Sequence, residues 1–111
     1  MSDEFATAHV EIGADHPAFE GHFPGRPILP GVALLAAVLE AAAAQPRLAG
    51  CVGRAPRLGV VKFLAPVGPG ATLAIAFRLG ANELEWQIVD GDRPVASGRI
   101  GRADRVAPGR A

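Results

Sequence analysis

The sequence is poor in the features that would cross-link it, charge it or anchor it. Of its 111 residues only Cys51 is a cysteine, so no internal disulfide can form and no zinc site of the usual multi-cysteine spacing can be built. A reducing, cytoplasmic setting is the expectation. Lysine and arginine balance aspartate and glutamate at 11 each, which removes the overall positive field that recruits nucleic acid. The longest apolar run, Val32 to Ala44, is interrupted by Glu40 and falls short of the roughly 20 residues needed to span a bilayer. Neither nucleic acid nor a membrane is an expected partner. The opening MSDEFATAHVEIG has no basic stretch followed by an apolar core, so it does not read as a secretory leader.

What the chain does have is hydrophobic material, 50% of its residues, enough for one core and one domain spanning 1–111. Ala6 to Ile12 mixes alternating small or polar and apolar residues and predicts a short strand. Gly13 to Pro30 holds three glycines, four prolines and two histidines, a mixture suited only to an irregular loop. A loop of that length in so small a domain points to function, because it carries side chains that a rigid scaffold must aim. From Pro30 to Gln45 the run PGVALLAAVLEAAAAQ predicts a helix, with proline where a first turn tolerates it and Pro46 beyond its end. Its apolar residues go round every side up to Leu39, so the helix is expected to be enclosed. Arg57 to Leu64, Thr72 to Leu79, Leu84 to Val89 and Pro94 to Ile100 read as short strands that supply the wrapping, with a tight turn at the Gly91–Asp92 region. The fold class is α+β, an antiparallel sheet curled around one central buried helix. Residues 103–111 are expected to form a flexible tail.

Two segments carry a resemblance. Ala18-Phe19-Glu20-Gly21-His22-Phe23-Pro24-Gly25-Arg26-Pro27-Ile28-Leu29-Pro30-Gly31-Val32 is similar to the active-site segment of bacterial β-hydroxyacyl-acyl-carrier-protein dehydratases. Lys62-Phe63-Leu64-Ala65-Pro66-Val67-Gly68-Pro69-Gly70-Ala71-Thr72-Leu73 looks like that family's strand, proline bend and Pro-Gly turn. The resemblance covers about the middle half of the chain. Length and the wording DHPAFEGHFPGRPILPGV resemble most the small single-domain dehydratase-like proteins of polyene and related lipid pathways. It implies a hot-dog fold, no metal or redox cofactor, an acyl-carrier-protein or coenzyme A thioester as substrate, and active sites shared between subunits.

The residues support the same chemistry independently. No Ser, Thr, Asp or Asn immediately precedes the helix start at Pro30, so the first-turn amides at Gly31 and Val32 lack a side-chain cap and are suited to a carbonyl oxygen that develops negative charge. Gly31 leaves room for a ligand to approach the backbone. His22, in a loop braced by Pro24, Pro27 and Pro30, can stand close to that end, and imidazole has the right basicity to take an α-proton at neutral pH. Phe23, Leu34 and Leu35 are the candidates to line an acyl channel. The resembling family places an acid on the helix fourteen positions after the histidine, and here that position is Ala36. Glu40 lies one turn further along the same stripe and is a second candidate acid, though such a residue near a helix end is more often simply solvated.

Three functions stay open: a dehydratase, a non-catalytic acyl-binding or heterodimer partner subunit that lacks the helix acid, and an acyl thioesterase. A homodimer is expected because a small curled sheet leaves an edge uncovered, and an acid-bearing paralogue is an alternative partner. Arg26, Arg57 and Lys62, with Arg47 and Arg54, are candidates for docking an acidic carrier protein. Trp86 and the phenylalanines are assigned to the core or a subunit interface, and Cys51 to the core.

Overall fold

A computed structural model describes residues 4–17 and 28–103. His22, Phe23 and Arg26, and the tail from 104 onward, lie outside the described residues. The elements run β1 (Glu4–Glu11), α1 (Gly31–Ala43), α2 (Pro46–Val52), β2 (Arg57–Phe63), β3 (Thr72–Leu79), β4 (Glu83–Asp90) and β5 (Arg93–Gly101). The strands form one antiparallel sheet in the order β1-β3-β4-β5-β2. The two strands that flank the helices in sequence therefore stand at opposite edges and run in the same direction. The helical segment is the crossover between them.

Alternation along the strands sorts one face from the other. Leu73, Ile75 and Phe77 of β3, with Leu84, Trp86 and Ile88 of β4, are buried, while the residues between them are more exposed. The helix meets that face through Leu34, Val38 and Ala42, each four residues from the next and each buried. Every fully buried large side chain here contributes about 1.5–3 kcal/mol by leaving water. Two-residue turning at Gly91 and Asp92 joins β4 to β5, and Gly91 takes φ 63°. In β2, Gly59 and Val60 stand opposite the single residue Arg99, a bulge that bends this edge strand.

Two expectations need correction. The helix is not enclosed: Val32, Ala36, Glu40 and Ala43 form an exposed stripe, because one five-stranded sheet covers one flank of a helix and no more. The segment after Pro46 is a second short helix, with proline at its first turn acting as a start where the sequence read it as a stop. Cys51 of α2 is buried as expected, and its thiol donates to the Arg47 carbonyl at 3.4 Å. Of the aromatic residues, Phe77 and Trp86 are buried, whereas Phe5 and Phe63 are exposed.

Candidate active site

The start of α1 is set by a hydrogen bond from far along the chain. The Leu29 amide donates to the Val67 carbonyl at 2.8 Å, and both side chains are buried. Pro30 follows in an extended conformation, φ −62° and ψ 148°, and provides no side-chain cap. Its carbonyl accepts from the amides of Ala33 and Leu34. Among the described residues, neither the Gly31 nor the Val32 amide has an acceptor. These two N–H groups sit at the positive end of the helix dipole and can receive an oxygen that gains negative charge.

Phe63, the last residue of β2, closes one side of this end. Its ring lies against Gly31 so tightly that a Cβ there would come within 2.8 Å of Cζ. The ring is 52% exposed, so its other side faces away from the core. Strand alternation then puts Val61 on the helix side with Phe63 and puts Lys62 on the opposite face. Lys62 stands there with Val60 and Phe5 around a hollow of about 670 Å³, beside the Arg78–Glu85 ion pair. This hollow is on the far side of the sheet from Gly31.

The remaining sequence candidates divide in the same way. Leu34 points into the core, Leu35 is half-buried beside it, and Val32 presents its side chain to the exterior. Ala36 and Glu40 share the exposed stripe, and the Glu40 carboxylate has no ion pair or hydrogen bond among the described residues. Arg57 reaches the Arg102 carbonyl at 3.2 Å, and Arg47 pairs with Glu4. Arg54 is exposed. The structure gathers none of these cations at the helix start.

Sequence reasoning missed a pair of small residues in the sheet. Ala96 and Gly98 of β5 pair with Phe63 and Val61 of β2 on one side and with Ile88 and Trp86 of β4 on the other, on the face that holds the buried Ile88 and Trp86. The indole of Trp86 packs on Gly98, with which it pairs across the ladder: a Cβ on Gly98 would lie 2.5 Å from Cζ2 and 3.0 Å from Nε1 of the indole. A glycine two residues from both Ala96 and Ile100, on the same face of a strand, was the one signal in the sequence.

Comparison with known proteins gives a consistent picture. The ApeI-like family, described as ApeI dehydratase, matches residues 1–99. The 3-hydroxyacyl-acyl-carrier-protein dehydratase FabZ of Latilactobacillus sakei subsp. sakei is 41% identical over 80 residues, covering 68% of this chain and 57% of that protein. FabZ of Symbiobacterium thermophilum is 36% identical over 74 residues, 63% of this chain and 52% of its own length. The chain thus spans about half the length of the curated relatives it matches. Among solved structures, the dehydratase heterocomplex ApeI:P from Xenorhabdus doucetiae aligns with a TM-score of 0.70 at 27% identity, over 91% of this chain and 93% of that one. The architecture described above is the hot-dog fold.

Proposed function

Because the chain belongs to the ApeI-like dehydratase family, we propose that it takes part in removing water from a β-hydroxyacyl thioester carried on acyl-carrier protein or coenzyme A. The observation that carries this reading is the uncapped start of α1, where the Gly31 and Val32 amides have no acceptor among the described residues and Gly31 lies against the Phe63 ring. In the proposed reaction the thioester oxygen accepts hydrogen bonds from these amides, which lowers the cost of charge building on it. His22 removes the α-proton. The electron pair left behind forms the new carbon–carbon double bond as the bond to the β-oxygen breaks, and that oxygen leaves as water after taking a proton.

The last proton is where this chain departs from the dehydratase pattern that its sequence resembles. Position 36 is alanine on an exposed helix stripe, and the one carboxylate of α1, Glu40, is a turn further along. A second subunit is the most economical source of the missing acid. The stripe of Val32, Ala36 and Ala43 is largely apolar, and the β2 edge carries exposed Leu58, Val60, Phe63 and Leu64. Both are surfaces that a partner would cover. Two chains of this kind would make a homodimer, whereas an acid-bearing paralogue would make a heterodimer. The likeness to one chain of the ApeI:P heterocomplex favours the heterodimer, with this chain bringing His22 and the amides and its partner the carboxylate.

Incubating the purified chain with short and medium β-hydroxyacyl thioesters and following loss of water by mass tests the reading. Water loss that disappears in His22→Ala, with the fold retained, supports it. Turnover unchanged by His22→Ala overturns the assignment of the base. Release of free thiol without enoyl product would make the protein a thioesterase instead, and binding without any turnover would make it an acyl-binding subunit.

A further inference from the structure

The bend from Leu64 to Ala71, which joins β2 to β3, holds the helix start and is itself held from outside. Its middle has little with which to fix its own shape: Pro66 and Pro69 carry no N–H, and the amides of Val67 and Gly68 make no backbone bond among the described residues. At one end the amides of Leu64 and Ala65 both donate to the Val95 carbonyl of β5, at 2.8 and 3.3 Å. At the other, the Ile12 amide donates to the Ala71 carbonyl at 2.8 Å and the Gly70 amide to the Ile12 carbonyl at 2.7 Å. Between them the Val67 carbonyl accepts from Leu29. The bend thus grips the chain at Ile12 and at Leu29, on either side of the stretch whose sequence contains His22. One side chain reaches its middle. Nη2 of Arg93, which faces Asp90 across the β4–β5 turn, donates to the Pro66 carbonyl at 3.0 Å and to Oδ2 of Asp90 at 3.1 Å.

Resting on the reading of the helix start as the thioester site, we infer that Arg93, held by Asp90, is a positioning residue for the Gly31 and Val32 amides. It acts through the bend. The Pro66 carbonyl belongs to the rigid peptide plane that leads into Val67, and the proline ring fixes the rotation before it. A bond that fixes this plane leaves the Val67 carbonyl little freedom, and that carbonyl sets the Leu29 amide two residues before Gly31. The Arg93 and Asp90 side chains are 49% and 32% exposed, so their ion pair adds little to stability. Its effect falls on where the helix start is aimed.

The test reads polarisation of the thioester carbonyl directly and needs no turnover. Hexanoyl-coenzyme A, isotope-labelled at its thioester carbonyl, is bound to the native protein, to Arg93→Met, to Arg93→Lys and to Asp90→Asn, and the carbonyl stretch is followed by difference infrared spectroscopy. Amides that donate to this oxygen weaken the bond, so the native protein should lower its frequency on binding. Arg93→Met keeps the length of the side chain and removes the donor; it should lose more than half of that shift while its melting temperature and circular dichroism stay native. Arg93→Lys should restore most of the shift, because a single nitrogen makes both bonds. Asp90→Asn keeps an acceptor oxygen without the charge and should fall between. Where dehydration is measured, Arg93→Met should lower kcat by on the order of tenfold and leave KM nearly unchanged, as expected for a group that matters in the transition state. A full native shift in Arg93→Met, or in Asp90→Asn where Arg93→Met does not fold, overturns this inference alone. Absence of binding or of any shift in the native protein overturns the thioester site with it.

Discussion

The ring of Phe63 occupies the space in which any side chain on Gly31 would begin, with Cζ only 2.8 Å from the position of a Cβ. The two residues are 32 positions apart in sequence, at the end of the edge strand and the start of the helix, and each limits the other.

That contact predicts a loss of function without a loss of fold. In Gly31→Ala the half-exposed ring must swing outward or the helix start must shift, while alanine itself favours helix by up to about 1 kcal/mol over glycine. Melting temperature should change little. Turnover of a β-hydroxyacyl thioester should fall by about a hundredfold, as displacement of a positioning group by an ångström costs. Combining Gly31→Ala with Phe63→Ala should recover part of it, and a strictly additive double variant would show that the two residues do not act together.

Installing the missing acid should raise activity. Ala36 is exposed, so Ala36→Glu should leave stability within about 0.5 kcal/mol by denaturant titration. A correctly placed general acid contributes about 10²- to 10⁴-fold. A gain in enoyl product of tenfold or more in the chain alone would show that the rest of the site is competent, and no gain would mean that the stripe does not face the substrate.

Assembly is predicted to depend on the β2 edge. Leu58 is 45% exposed on a strand with one side unpaired, and Leu58→Lys puts a charge where a partner strand would lie. Light scattering should then report a monomer with unchanged circular dichroism. A variant that keeps the native mass would place the subunit contact elsewhere.

Stability is most sensitive where Trp86 packs on Gly98. Gly98→Ala drives a methyl group into the indole of Trp86, 2.5 Å from Cζ2, and overpacking of this kind costs about 1–3 kcal/mol. The midpoint of urea unfolding should fall accordingly. Paired with Trp86→Leu, the same substitution should cost less than the two changes summed.

Much of the sheet was legible in the sequence because its strands alternate. Thr72–Leu79 was read to the residue, since Leu73, Ile75 and Phe77 all point one way, and the other strands differ by one or two residues at their ends. The helix was equally plain, but its exposure was not: alanine, leucine and valine look the same to a hydrophobicity pattern whether a sheet or another subunit covers them. The short helix Pro46–Val52 escaped because proline both ends and begins helices, and only the packing of Leu48, Cys51 and Val52 decides between them. Of the site, Gly31 and Val32 could be read from the missing cap residue. The Phe63 contact and the Trp86–Gly98 pair could not, because both depend on which strand lies beside which.

The hydrogen bond from Leu29 to Val67 has a kinetic consequence. Local contacts suffice to nucleate α1, but the segment that aims its first turn is pinned by a carbonyl 38 residues later, beyond the edge strand. Closing that loop comes late, as contacts distant in sequence do. A newly made chain would therefore hold a formed helix before it holds a binding site, and affinity for a thioester should rise only in the final phase of refolding.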